Sequence, residues 1–189
     1  SFFPVLTVMA GVSLSVFLYS FVNGVVLELV NSTAHFQTGH VKITSRAYAK
    51  ESDQDPNDLA LTGIGELIAE LQETYPEMLW TPRIHFGGLL DVPDENGETR
   101  SQGPTTGMAI DLFSDSGLEH RLLNFEKAIV RGRLPMRPGE ILIADEFARK
   151  LNIGPGDTTT LFGSTMHGSL ATANFIIAGT VQFGIAAMD

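Results

Sequence analysis

Cysteine is absent from the 189 residues, which excludes disulfides, thiolate zinc centres and cysteine nucleophiles together. A thiol-free chain is compatible with either side of a membrane. Charge is missing from the whole of Ser1 to Leu27, and Glu28 is the first ionised side chain. Cations are scarce thereafter: the 21 acids and 12 Lys and Arg that follow Val30 leave nine excess negative charges. Such a surface repels phosphates, so no nucleic acid partner is expected. There is no GxxxxGK followed by Ser or Thr and no GxGxxG after a strand, and the Gly154-Pro155-Gly156 turn precedes a strand rather than opening a helix toward an anion.

The residues that carry chemistry elsewhere fall into no reactive pattern. No HExxH occurs, and His35 and His40 are five apart, a spacing that suits neither one helix face nor one strand face. His85, His120 and His167 stand alone. Glu51 to Asp58, ESDQDPND, is acidic but lacks the Gly and terminal Glu of a calcium loop, and reads as a solvated loop. Ser164 sits in GSTMHG rather than a GxSxG elbow, and His167 beside it reads as a loop residue, not a base. Glu140, Asp145 and Glu146 read as strand-edge and helix-start residues, not an acid pair. No catalytic, cofactor-binding or metal-binding residue is assigned, and the chain is expected not to be an enzyme.

What is present is the apolar run from Val5 to Val26, VLTVMAGVSLSVFLYSFVNGVV. As a helix it rises about 1.5 Å per residue and covers roughly 33 Å, enough to cross a bilayer core. A helix buried in a soluble fold would need protein on every side. A signal peptide would have a basic start and a shorter apolar region. Residues 1–30 are therefore expected to be a transmembrane helix with its extension, running to Leu29 or Val30 before it loosens near Asn31 to Thr38. Gly11 and Ser15, and Ser20 and Gly24, are spaced four apart and would let a neighbouring helix approach closely.

Residues 31–189 are long enough for a core of their own. His40 to Ser45 alternates and predicts a strand with Val41 and Ile43 inward. Ile64, Leu67, Ile68 and Leu71 predict a one-sided helix over Gly63 to Tyr75, stopped by Pro76, which must pack on a sheet. Strand formers from Met78 to Val92 predict a hairpin through Asn96-Gly97 to a strand around Met108 to Phe113. Ser114 to Arg121 opens a short helix with Leu118, Leu122 and Phe125 on one face. Glu140 to Ala144 predicts a strand, Asp145 a cap for a helix facing inward through Phe147, Ala148 and Leu151, and Gly154 to Asp157 a turn into the strand Thr158 to Phe162. Gly163 to Thr172 reads as a polar loop before a last strand, Asn174 to Phe183. The close succession of strand, helix and strand points to an α+β fold behind a long N-terminal transmembrane helix.

Two stretches taken together resemble a known family. FVNGVVLELVNSTAHFQTGHVKI, with Asn23-Gly24 and Thr38-Gly39-His40-Val41, is similar to the junction between the first membrane helix and the extracytoplasmic domain in permease subunits of bacterial ABC transporters of the MacB and LolC/LolE (FtsX-like) kind. IVRGRLPMRPGEILIADEFARKLNIGPGDTTTLFG followed by FIIAGTVQFGIAAMD is similar to that domain's later pattern, which Gly132-Arg133, Glu140, Ala148, Leu151, Gly156-Asp157, Gly179 and Gly184 match. TPRIHFGGLL and GMAIDL fit more loosely.

The resemblance implies a permease subunit in the cytoplasmic (inner) membrane, with its periplasmic core-like domain on the extracytoplasmic side and more chain beyond Asp189. Its implied partners are an ABC ATP-binding subunit that hydrolyses the ATP, a second permease copy, the lipid bilayer, and a periplasmic protein or lipoprotein. Export, lipoprotein release and mechanical signalling are all within that implication. A membrane-anchored binding or sensor domain without an ATPase is the alternative, and a secreted hydrolase behind a signal peptide a third.

Overall fold

The computed structural model describes residues 2–34, 36, 39–114 and 117–184, with nothing said of the side chains of Asn31 to Thr33. The chain divides into two compact units, Ser1–Lys42 and Ile43–Asp189. The first is built on helix α1, Phe3–Thr33, which runs past Val30. His35 and Thr38 of the expected junction, the Asp115-Ser116 step before the next short helix, and the closing residues 185–189 lie outside the described residues.

The second unit is a mixed α+β fold. A six-stranded sheet is assembled from β1 (Arg83–Pro93), β2 (Thr99–Ile110), β3 (Ile129–Gly132), β4 (Glu140–Ala144), β5 (Thr158–Ser164) and β6 (Leu170–Val181) in the order β2-β1-β5-β6-β3, with β4 also on β6. Helices α2 (Ile64–Thr74), α3 (Leu118–Leu123), α4 (Phe125–Ala128) and α5 (Asp145–Leu151) fill the connections.

β1 and β2 form the expected hairpin. The carboxylate of Asp94 accepts the amides of Asn96 and Glu98, and Gly97 supplies the positive φ of 83° that the reversal needs. The second strand begins at Thr99 rather than near Met108, because Thr99 and every residue from Ser101 to Ile110 find partners on β1, with Arg100 bulged out between them. Pro104, which has no amide to donate, lies within β2, on the sheet's edge.

β5 and β6 are a second hairpin. The stretch Gly163 to Thr172, expected as a loop, is mostly ladder, with Gly163 opposite Ala171 and Ser164 opposite Leu170. Only Thr165 to Ser169 turns, closed by the Ser169 carbonyl accepting from the Thr165 amide at 2.8 Å. Small polar residues there fit a pleated pair because one side of it faces solvent. β4 lies parallel to the end of β6, the one parallel pair of the described sheet.

The core lies on one face of this sheet. Leu90 and Val92 of β1, Ile143 of β4, Ile177 of β6, Ala148 and Leu151 of α5, and Ile153 form one buried cluster, with Ile141, Phe147 and Leu161 packed against it. Phe147, Ala148 and Leu151 thus point inward together, as their spacing requires. α2 presents Ile64, Leu67, Ile68 and Leu71 as its four half-buried residues, the expected stripe, though none of its residues is fully buried.

Three further expectations are corrected. His40 to Ser45 forms no strand, and Val41 and Ile43 are 56% and 42% exposed. Alternation alone did not recruit a partner strand, and Ser45 instead accepts the Tyr48 amide and donates to the Leu59 carbonyl, which bends the chain. Asp145 does not cap α5: Ala144 occupies the cap position and Asp145 is the first helical residue, its carboxylate engaged elsewhere. The helix expected from Ser114 is two short pieces, broken where Asn124 adopts φ 47°. Leu118 and Phe125 are nevertheless buried.

Gly132 and Gly179 are opposite one another between β3 and β6. Gly132 has φ 79°, and a Cβ on it would fall on the Ala178 carbonyl oxygen and within 2.8 Å of Gly179 Cα. Gly139 has a similar φ of 89° but open space around it. We expect Gly132→Ala to cost about 2 to 4 kcal/mol and Gly139→Ala only about 1 to 2 kcal/mol. Denaturant titration of the two variants of the whole chain in detergent checks the order; equal losses would refute the packing argument.

Candidate functional site

Two features stand out: the long apolar helix and a set of buried charges that knit the sheet. From Phe3 to Val30, α1 is long and apolar enough to cross a membrane, with a mean hydropathy of 2.0 over its most apolar window and none of that window buried. Two of its hydroxyls bond back to the helix. The Thr7 hydroxyl donates to the Phe3 carbonyl at 3.0 Å and the Ser15 hydroxyl to the Gly11 carbonyl at 2.8 Å. Phe17 and Phe21, one turn apart, stack with ring centroids 6.3 Å apart.

In the sheet domain, buried carboxylates collect arginines from neighbouring segments. Glu140, at the start of β4, is held by a two-pronged pair with Arg133 at 2.7 Å on each oxygen, by Arg137 Nε at 3.0 Å and by the Met136 amide at 2.9 Å. Its side chain is 2% exposed. Asp145 accepts from the Thr180 hydroxyl, Arg131 Nε and Arg149 Nε, each at 2.7 Å. Glu119 on α3 is paired through both oxygens with Arg83 of β1 and accepts from the Thr81 hydroxyl. Glu146 is the exception, a solvent-facing partner of Lys150 one turn on.

These pairs bring the sequence's scattered signals together. Gly132, Arg133, Glu140, Gly156, Asp157 and Gly179 lie far apart in the chain, yet all surround the end of β6. The Arg133 amide donates to the Ala178 carbonyl, the Gly156 amide to the Ile177 carbonyl, and the Ile177 amide to the Asp157 carbonyl. The Gly154 to Asp157 turn is closed by Asp157, whose carboxylate accepts the Gly154 amide at 2.8 Å, with Gly156 at φ 99°. The motif residues therefore specify a joint in the fold. The ion pairs themselves were not read from the sequence; the signal for one was three arginines, 131, 133 and 137, crowded just ahead of Glu140.

An open groove of about 770 Å³ lies between the acidic loop Gln54 to Asp58, Phe86 and Gly87 of β1, and the β5–β6 turn. Ser164 and His167 line it but are not joined to each other by any hydrogen bond. Asp55 accepts the Tyr48 phenol at 2.9 Å, and burial followed by this bond pushes the Tyr48 phenol up. His120 packs edge-on against Phe125, His85 lies within β1 and His40 is exposed. Among the described residues no three His, Asp or Glu side chains converge as a metal site. No protein-family model and no curated protein matches the chain.

The hubs make a pH prediction. The Arg133 pair, aided by the Met136 amide, lowers the Glu140 carboxyl from 4.5 to about 2 against the opposing effect of burial. The Thr180 hydroxyl, then Arg131, lower Asp145 from 3.8 to about 2. Carboxyls depressed by folding stabilise the domain above their unfolded values and lose that contribution as pH falls through the folded ones. Stability should hold down to about pH 5 and fall progressively toward pH 2, and Glu140→Gln should flatten that decline while lowering stability at neutral pH. Denaturation midpoints measured across this range check both; an unchanged slope in the variant would refute the assignment.

Proposed function

We propose that the chain is a membrane-anchored permease segment of the MacB and LolC/LolE kind, in which α1 crosses the inner membrane and the sheet domain works on the extracytoplasmic side. The observation that carries the membrane part is α1 itself: an uncharged helical stretch from Phe3 to Leu27 long and apolar enough to cross a membrane. At about 1.5 Å per residue, Phe3 to Val30 spans roughly 42 Å, longer than the roughly 30 Å hydrocarbon core, so it can tilt or emerge into the interface. Hydroxyls bonded back to their own helix suit a solvent that offers no partners.

The transporter part rests on the order and spacing of the motifs from Asn23-Gly24 to Gly184. In this reading ATP is hydrolysed by a separate ABC subunit, and two permease copies form the transmembrane path. Helix α1 transmits the resulting displacement, since its hydrogen bonds are internal and it moves as a rod. The sheet domain, tied by Glu140 and Asp145 to the end of β6, receives it without deforming. No catalytic side chain is needed for that role.

A charge at the middle of α1 tests the anchor. Val16→Arg should disfavour insertion by about 3 to 4 kcal/mol. The expected outcome is loss of the chain from the alkali-resistant membrane fraction, while Glu28→Arg near the helix end leaves it there. Retention of both variants, or a native chain that stays dissolved without detergent, would overturn the reading. For the transporter part, co-purification of a Walker-type ATPase with the protein from its native membrane is the expected result, and a native complex devoid of one refutes it.

A further inference from the structure

One buried carboxylate has none of the partners the others have. Asp91 of β1 is 7% exposed, and its Oδ1 is sealed from solvent without a hydrogen bond among the described residues. Leaving such a group unpaired is costly, and Glu119, Glu140 and Asp145 of the same domain each hold an arginine.

Its surroundings are also distinctive. Leu90 and Val92 belong to the core cluster, so the alternation of the strand puts Asp91 on the other face of the sheet. Directly across from it stand Gln102 on β2 and Thr160 on β5, and beyond Thr160 stands Asn174 on β6. Thr160 donates its hydroxyl to Asn174 Oδ1 at 2.9 Å, which shows that these side chains share that face. Four strands thus contribute one polar row, with exposed Gln102 and Asn174 at its ends and half-buried Thr160 beside the carboxylate. Two residues along the strands runs a second row on the same face, Pro104, Leu89, Phe162 and Thr172. Leu89 and Phe162 are half-buried there.

We infer that this sheet face is a docking site for an arginine-bearing segment of a partner polypeptide, whose guanidinium pairs with Asp91 beside Gln102, Thr160 and Asn174 and stacks on Phe162. A guanidinium carries five donors in a planar fork, one of which meets the unsealed Oδ2 of Asp91 while others reach the neighbouring amide oxygens. Its flat face packs on an aromatic ring, and its apolar stem suits a side chain such as Leu89. Lysine satisfies the charge but not the fork. The excess of nine negative charges after Val30 favours the approach of such a segment. The inference does not depend on the transporter reading, since the site is contained in the sheet domain.

The test uses the full chain in detergent micelles, observed by backbone-amide NMR and titrated with the tripeptide Ac-Leu-Arg-Leu-NH2 and its citrulline counterpart, which keeps the shape and lacks the charge. The expected result is a saturable shift at Gln102, Thr160 and Asn174 with the arginine peptide, none with citrulline, and at least about tenfold weaker binding in Asp91→Asn. Asp53→Asn, in the exposed acidic loop, should bind as the native chain does. Asp91→Asn should melt no lower than the native protein, because the native carboxylate has nothing to lose.

Failure to shift these residues, equal binding by citrulline, equal binding in Asp91→Asn, or equal weakening in Asp53→Asn would each overturn the site. Calcium chloride alone producing the same shifts at lower concentration would make it a metal pocket instead. A fall of several degrees in the melting point of Asp91→Asn would make the residue a structural one. All of these outcomes leave the membrane test on α1 unaffected, so the two readings fail separately.

Discussion

The sheet domain depends on backbone pairing to a single strand. β6 meets β5 along its first half, β4 along its second, and β3 at its end. These three segments come from three places in the chain, and without β6 neither β3 nor β4 would have a place in the sheet. Close approach is what permits it. Gly132 faces Gly179, and at each position a side chain would collide with the opposite backbone. The two ionic hubs stand on the same strand: Thr180 donates to Asp145, and Glu140, opposite Ile176, gathers arginines from the segment that follows β3. Hydrogen bonds align these elements, and the buried pairs fix their register, since a slip by one residue would strand each charge on the wrong side of the sheet.

Much of this was legible in the amino-acid order where local signals and tertiary context agree. The Asn96-Gly97 reversal, the β4 strand from Glu140 to Ala144, the inward trio of α5 and the Gly154 to Asp157 turn each carry their own chemistry, and the structure has them. The α+β class followed from their succession. The misses share a cause. A strand is only as real as its neighbour, so alternating His40 to Ser45 forms no strand while the small polar run from Gly163 to Thr172 mostly continues the β5–β6 ladder. Asp145 looked like a cap because short-range rules favour one there; arginines and a threonine from other segments claimed its oxygens first. Ion pairs linking residues 36 apart, such as Arg83 with Glu119, leave no periodic trace at all.

The two units differ in what they bury. In α1 the side chains are predominantly apolar and the hydroxyls of Thr7 and Ser15 turn back on the helix, whereas the sheet domain encloses its apolar residues and pairs many of its charges. Among the described residues at least six of the 12 Lys and Arg, those at 83, 131, 133, 137, 149 and 150, are engaged with carboxylates of the same domain. The cations therefore serve internal cohesion, and the acids left over give the surface its sign. Asp91 stands apart as an acid that is neither paired nor freely hydrated.

Pro104 has a consequence beyond its own strand. The outer margin of β2 would otherwise offer twelve residues of backbone to any extended peptide that drifted against it, including the same margin of another copy. A ring in place of one amide interrupts that template midway, and the flanking Gly103 and Gly107 make the strip still less attractive to a passing strand. Two copies that met margin to margin would find no continuous run of amides along which to pair.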